Sequence, residues 1–161
     1  MRRRRTLFVT QAAMIAALYV VLTLIANAFG LANYAIQVRF SEGLTILSFF
    51  TPAAIPGLYA GCLISNILTG AMPQDVIFGS LATLLGAVGT YCLRKYKWLA
   101  PIPPIVANVI IVPYVLMYVY QFEGSLIYFM ITVGIGEIIS CGVIGMSLLL
   151  ALEKYRKELF H

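Results

Sequence analysis

Glu137 is the first candidate for chemistry, because its carboxyl group interrupts a long apolar segment with no lysine or arginine nearby in sequence. A lone acid at membrane depth costs about 2.5–3.5 kcal/mol on insertion scales, so it is expected to face a cavity or a partner. Two interpretations stay open. The group is either a ligand-binding carboxylate or a protonated carboxyl that is hydrogen-bonded within a helical bundle.

Asn108 is the second candidate and lies in the preceding apolar segment. Asn108 and Glu137 are about twelve and thirteen residues inward from the loop that joins their segments. Both are therefore expected at similar depth on adjacent helices. Pro113 frees a backbone carbonyl and can bend the first of them. The amide and the carboxylate then form a pocket floor, or Asn108 serves only as an interhelical hydrogen-bonding group.

Arg39 and Glu42 precede an apolar run that is broken by Pro52 and again by Pro56. Charges beside a membrane-compatible segment are costly, and the prolines prevent one plain helix. Because the two charges are three residues apart, they share a helical face and can neutralise each other. Alternatively, both turn toward a solute that enters from outside. In either case both are expected toward the outer face.

Other catalytic or metal-binding machinery is missing from the sequence. The single histidine is His161 and no G-x-x-x-x-G-K-[ST] motif occurs, which excludes P-loop ATP binding and internal histidine-based catalysis. Cys62, Cys92 and Cys141 are scattered without CxxC pairing and are interpreted as packing residues. The chain is therefore expected to be no enzyme and to hold no metal or cofactor.

The composition predicts a membrane protein. The 161 residues are 61% hydrophobic and 11% charged, with a mean hydropathy of +0.95, which is outside the range of water-soluble domains. The net charge is +5, and all lysines and arginines except Arg39 lie in three clusters, each beside an apolar segment. That pattern is typical of cytoplasmic loops and argues against a nucleic-acid partner. The clusters lie at residues 2–5, 94–97 and 154–157.

All three basic clusters reach the cytoplasmic side if residues 37–70 cross the bilayer twice, with a turn at Thr51-Pro52. The prediction is an all-α integral membrane protein, a single transmembrane domain of six helices with both termini cytoplasmic. The predicted helices cover residues of about 6–30, 38–50, 52–70, 76–93, 101–120 and 125–152. The outer loops then contain Asp75, Gln121 and Glu123, which are interpreted as ordinary solvated residues.

Small side chains form a strip on the first predicted helix. They follow two i, i+4 patterns, which pair Ala12 with Ala16 and Ala13 with Ala17. Such a strip permits close approach of a second helix in lipid. Alanine-rich helices are common, so the strip alone identifies no partner.

Two motifs resemble the signature of the QueT family, namely QVRFSEGLTIL at residues 37–47 and TPAAIPGL at residues 51–58. The resemblance covers essentially the whole chain. It implies a substrate-binding S component of an energy-coupling-factor (ECF) importer in the bacterial cytoplasmic membrane, with a transmembrane coupling subunit and two ATPase subunits as partners. It also implies a queuosine precursor of the preQ1/preQ0 class as substrate, and docking of the alanine strip on the coupling subunit.

The chemistry of a 7-deazaguanine suggests roles for the candidate residues. One carboxylate accepts the ring N–H and amino donors, and a second acid suits the aminomethyl cation. Glu137 and Glu42 fill these roles in an order that stays open. Asn108 or Arg39 meets the ring carbonyl, and Tyr34 stacks on the base. The alternatives are a stand-alone ion-coupled permease, with Glu137 as proton relay, and a structural membrane subunit without a ligand.

Overall fold

The computed structural model describes residues 2–30 and 38–155, and these residues form helices and no β-strand. The all-α class predicted from the sequence is confirmed. Three helical segments are of another type: a long 3₁₀ helix (Phe40–Phe49), called the 3₁₀ helix below, a short 3₁₀ turn (Lys97–Leu99) and a π-helical segment (Ile138–Gly145). The α-helices are α1 (Arg2–Ala28), α2 (Ala54–Leu68), α3 (Pro73–Cys92), α4 (Ile102–Tyr118), α5 (Leu126–Glu137) and α6 (Met146–Glu153).

Four helical stretches are long and apolar enough to cross a membrane. They are Arg3–Ala28, Pro73–Cys92, Lys97–Tyr118 and Leu126–Glu153, the last formed by α5, the π-helical segment and α6 together. Only 11% of the most apolar 18-residue stretch of α1 is buried within the protein. A helix that exposes so many apolar side chains is suited to a lipid environment. Helix α2 is apolar as well but has only 15 residues.

The 3₁₀ helix occupies the stretch where a short α-helix over residues 38–50 was expected. Its ten residues include nine that are buried, from Ser41 to Phe49. A 3₁₀ helix rises about 2.0 Å per residue, so ten residues cover about 20 Å, whereas an α-helix would cover about 15 Å. The chain then turns at Thr51 and Pro52 before α2 begins. A segment too short to cross as an α-helix thus spans more of the bundle.

Consecutive helices pack against each other, α1 on α2, α2 on α3, α3 on α4 and α4 on α5. The 3₁₀ helix lies among α1, α3 and the π-helical segment. Gly43 permits this enclosure, because a Cβ at this position would lie 3.0 Å from the Ser140 backbone oxygen and 3.2 Å from the Ile144 side chain. The helices around it therefore leave little room for larger side chains.

The alanine strip of α1 is divided between two surfaces. A Cβ on Gly57 would lie 2.6 Å from the Ala12 backbone oxygen, and one on Gly61 would lie 3.0 Å from the Ala16 oxygen. Ala12 and Ala16 therefore pack against α2 of the same chain. Both are half-buried at this contact, and their expected role in one docking surface together with their neighbours stays a prediction. The neighbours are Ala13 and Ala17, which are exposed.

Candidate functional site

Glu42 lies in the interior of the bundle. It is 0% exposed, and its Oε1 accepts hydrogen bonds from the Tyr19 hydroxyl and from Thr83 Oγ1, the latter at 2.8 Å. The second carboxylate oxygen, Oε2, is buried and has no hydrogen-bond partner within the described residues. Glu42 was expected toward the outer face together with Arg39; the structure shows that it is enclosed within the bundle, because the 3₁₀ helix enters the bundle directly after Arg39.

Glu137 and Glu42 are brought together, although 95 positions separate them in the sequence. Glu137 is 4% exposed, and its Oε2 accepts a hydrogen bond of 3.3 Å from Cys141 Sγ. Cys141 Sγ also lies 3.4 Å from the backbone oxygen of Glu42. We call Glu42, Glu137 and Cys141 the acid cluster. Its potential ligand atoms lie within 4.8 Å of one another, a spacing at which they could hold a cation.

Asn108 adjoins the acid cluster and bonds to its own helix. It is buried, and its Nδ2 donates a hydrogen bond of 3.1 Å to the Pro104 backbone oxygen. The amide also lies close enough to the Glu137 carboxylate to interact with it. The structure thus places Asn108 beside Glu137, as their similar depth in the sequence suggested. The sequence analysis interpreted Cys141 only as a packing residue. Its position four residues after Glu137, on the same face of a helix, was the sequence signal that the two side chains are neighbours.

A cavity of about 430 Å³ lies at one end of the bundle, among the C-terminal ends of α1, α2 and α4 and the start of α3. We call it the polar cavity. Its volume is within the range of about 300–1,000 Å³ that is typical of small-molecule sites. Its polar side chains include those of Asn27, Arg39, Asn66, Thr69, Asp75 and Tyr120. Of the site residues expected from the sequence, Arg39 lines this cavity.

Arg39 has no ion-pair or hydrogen-bond partner for its guanidinium group among the described residues, and in particular it does not pair with Glu42. The interpretation in which these two charges neutralise each other directly is not what the structure shows. Instead, Arg39 lines the polar cavity, while Glu42 belongs to the acid cluster. Ser41, between them in sequence, also lines the cavity, so the cavity and the acid cluster are adjacent.

Asp75 is a buried residue of the polar cavity, which corrects its interpretation as a solvated loop residue. It is 7% exposed and lies in the first turn of α3. Its Oδ2 accepts a hydrogen bond of 2.9 Å from the Tyr120 hydroxyl, which itself accepts one of 3.2 Å from the Met72 N–H. Burial raises the pKa of the Tyr120 phenol, so the hydroxyl stays a donor at neutral pH. Pro73 was the sequence signal that Asp75 lies in the first turn of a helix and not in a loop, because proline is common at the first position of a helix.

Tyr34, the aromatic residue expected to stack on a ligand, lies outside the described residues. The residues expected to bind a ligand therefore fall into two groups. Arg39 belongs to the polar cavity, and Glu42, Asn108 and Glu137 lie in or beside the acid cluster. Asn66, Asp75 and Tyr120 are cavity residues that the sequence analysis did not select.

These features define a multi-pass helical membrane protein with a polar cavity of the size of a small solute. The model of the QueT transporter family matches residues 9–154. The chain therefore belongs to the QueT transporter family, as the two motifs at residues 37–47 and 51–58 suggested.

A curated relative supports the same assignment. The protein named queuosine precursor transporter QueT, from Lactococcus lactis subsp. cremoris (strain MG1363), is 38% identical to this chain over 98 residues. The match covers 60% of this chain and 57% of the relative, so the chain spans little more than half of that protein. No solved structure matches the chain.

Proposed function

We propose that this chain is the substrate-binding and translocating subunit of an ATP-driven ECF importer, and that it captures a 7-deazaguanine queuosine precursor of the preQ1/preQ0 class from outside the cell. The observation that carries the proposal is the polar cavity next to the acid cluster. It presents the buried Asp75 and also Arg39, whose guanidinium has no ion-pair or hydrogen-bond partner among the described residues. The name of the Lactococcus relative supports the choice of substrate.

The binding groups in this proposal are those selected from the sequence. Glu137 and Glu42 accept hydrogen bonds from the ring and amino donors or bind the aminomethyl cation. Asn108 or Arg39 donates to the ring carbonyl, and Tyr34 stacks on the base. Oε2 of Glu42 supports this role, since it has no donor within the part of the chain that the structure describes, a buried acceptor without a donor is costly, and a ligand would supply one.

The partners in this proposal are a transmembrane coupling subunit and two ATPase subunits. The lack of a P-loop motif in the sequence is consistent with ATP hydrolysis on separate subunits. The exposed Ala13 and Ala17 are the part of the alanine strip that remains open to a docking helix. The location is the bacterial cytoplasmic membrane, with six spans, both termini in the cytoplasm and the polar cavity toward the outside.

Calorimetry on the purified chain tests the binding function. We expect 7-aminomethyl-7-deazaguanine to bind without ATP, and a lack of binding at micromolar ligand would overturn the proposal. Vesicles that contain only this chain should not accumulate the compound under a proton or sodium gradient. Accumulation there would instead support the stand-alone permease, for which the buried Glu137 is the natural proton relay.

A further inference from the structure

Two charged side chains of opposite sign line the polar cavity, and within the described lining residues they are the only ones. They are Arg39 and Asp75. No ion pair joins them, since the salt bridge that the described residues form is the one between Lys97 and Glu153. The two charges interact electrostatically across the cavity but make no direct contact, so both remain able to bind a ligand. A ligand that offers hydrogen-bond acceptors to Arg39 and donors to Asp75 would satisfy the two side chains.

Asp75 has one oxygen committed to the protein and one open. Oδ2 accepts the Tyr120 hydroxyl at 2.9 Å, which fixes the orientation of the carboxylate. Oδ1 accepts no hydrogen bond from any described residue. A carboxylate oxygen accepts two hydrogen bonds, so Asp75 retains capacity for a pair of parallel donors. It is an oriented acceptor, 7% exposed, at the wall of the cavity.

Gly79 lies next to Asp75 Oδ1 and places no side chain beside it. A Cβ at this position would lie 3.2 Å from Asp75 Oδ1 and 3.2 Å from Asn66 Nδ2. The Asn66 amide donates only a long contact of 3.6 Å to Cys62 Sγ, so its polar atoms are also available. Two polar side chains therefore flank one narrow space that any larger residue at position 79 would fill.

A guanine-type base matches this arrangement. Its edge presents a carbonyl acceptor beside a ring N–H and an amino group, so that one guanidinium and one carboxylate can bind it side by side. Resting on the proposed function, we propose that Asp75 accepts the ring N–H and the 2-amino group while Arg39 donates to the neighbouring carbonyl. Asp75, rather than Glu137, then selects 2-amino bases over 2-oxo bases.

The position of Glu137 favours Asp75 for this role. Glu137 does not line the polar cavity, and its Oε2 already accepts the Cys141 thiol. Selection at the cavity also acts on the solute before it reaches the acid cluster. Of the two roles proposed for Glu137 and Glu42 above, this leaves them the second, binding of the aminomethyl cation.

The test compares 7-deazaguanine with 7-deazaxanthine by calorimetry on the purified full chain. The second base has a 2-oxo group in place of the 2-amino group and consequently an N–H at position 3. For Asp75→Asn we expect affinity for 7-deazaguanine to fall at least about 30-fold, because the amide offers one acceptor oxygen and leaves one donor unpaired. Affinity for 7-deazaxanthine should rise, because the amide N–H₂ can donate to the 2-carbonyl. Glu137→Gln is the matched acid-to-amide control and should keep the preference for the 2-amino base.

The outcomes separate this inference from the function on which it rests. An unchanged preference in Asp75→Asn, or a reversal in Glu137→Gln instead, would overturn the role of Asp75 while the proposed function stands. Failure of the wild-type chain to bind 7-aminomethyl-7-deazaguanine would overturn the proposed function itself. If Asp75→Asn does not fold, Asp75→Glu serves in its place. That variant should bind 7-deazaguanine at least about tenfold more weakly and still reject 7-deazaxanthine, and unchanged affinity would count against the inference.

Discussion

Tyr19 donates a hydrogen bond to the Glu42 carboxylate, which connects the lipid-facing helix α1 to the interior of the bundle. Both side chains are almost fully buried. The acceptor oxygen is shared with Thr83 of α3, so one carboxylate joins three helical elements. In a membrane, where the hydrophobic effect does not drive helices together, such polar contacts and close packing hold a bundle in one arrangement.

Removal of either donor should destabilise the protein. For Tyr19→Phe we expect a loss of about 1–3 kcal/mol in the free energy of unfolding, because a buried acceptor loses a donor while the ring is kept. Thr83→Val removes the second donor with similar shape and is the matched comparison. Unfolding in detergent, followed by circular dichroism, measures both. The double variant should differ from the sum of the two, since both act on one oxygen, and strict additivity would contradict a shared acceptor.

Arg39 offers a test that separates binding from stability. Its guanidinium has no partner in the described structure, so Arg39→Gln should change the free energy of unfolding by less than about 0.5 kcal/mol. Affinity for 7-aminomethyl-7-deazaguanine should nevertheless fall at least about tenfold, through loss of a charge-assisted hydrogen bond. Calorimetry and thermal melting of the same preparation measure the two effects. A large loss of stability with unchanged affinity would instead make Arg39 a structural residue.

Glu137→Gln should weaken binding of the same compound at least about tenfold and leave the helical content intact. The substitution keeps the shape and removes the charge that we propose the ligand meets. Glu123→Gln is the control, since Glu123 is an exposed acid in the loop before α5. Calorimetry that gave the same affinity for both variants and the wild type would remove Glu137 from the site.

Larger side chains should have different effects on the two sides of the alanine strip. Ala13→Leu with Ala17→Leu should leave the thermal stability of the isolated chain unchanged but prevent co-purification with the coupling subunit, because both side chains are exposed. Gly57→Ala should destabilise the chain by about 1–3 kcal/mol through overpacking, since its Cβ would lie 2.6 Å from a backbone oxygen of α1. Normal complex formation by the double leucine variant would place the docking surface elsewhere.

The sequence predicted those features of the fold that depend on local chemistry. Hydropathy predicted helices, and Pro52 predicted the break before α2, because proline cannot continue a helix. The helix type was not predictable, since apolar content does not distinguish i→i+3 from i→i+5 hydrogen bonding. The 3₁₀ helix and the π-helical segment are therefore features that only the structure shows.

The candidate site was predictable only in part, for a related reason. The acids at positions 42 and 137 were selected because a charge in an apolar segment is costly wherever it lies. Asp75 was missed because its burial depends on Tyr120, which is 45 positions away in the sequence. The division of the alanine strip likewise depends on the glycines of α2, and contacts of this range are not visible in a local pattern.

The 3₁₀ helix also determines how polar groups are aligned along the bundle. With three residues per turn, side chains at i and i+3 are stacked in one line, and the line through Glu42, Thr45 and Ser48 is polar and buried. Arg39 at the cavity and Thr51 at the turn extend the same three-residue repeat at its two ends. An α-helix would rotate each group by about 60° from the last. The winding of this one segment therefore decides whether a continuous hydrophilic row connects the two ends of the bundle.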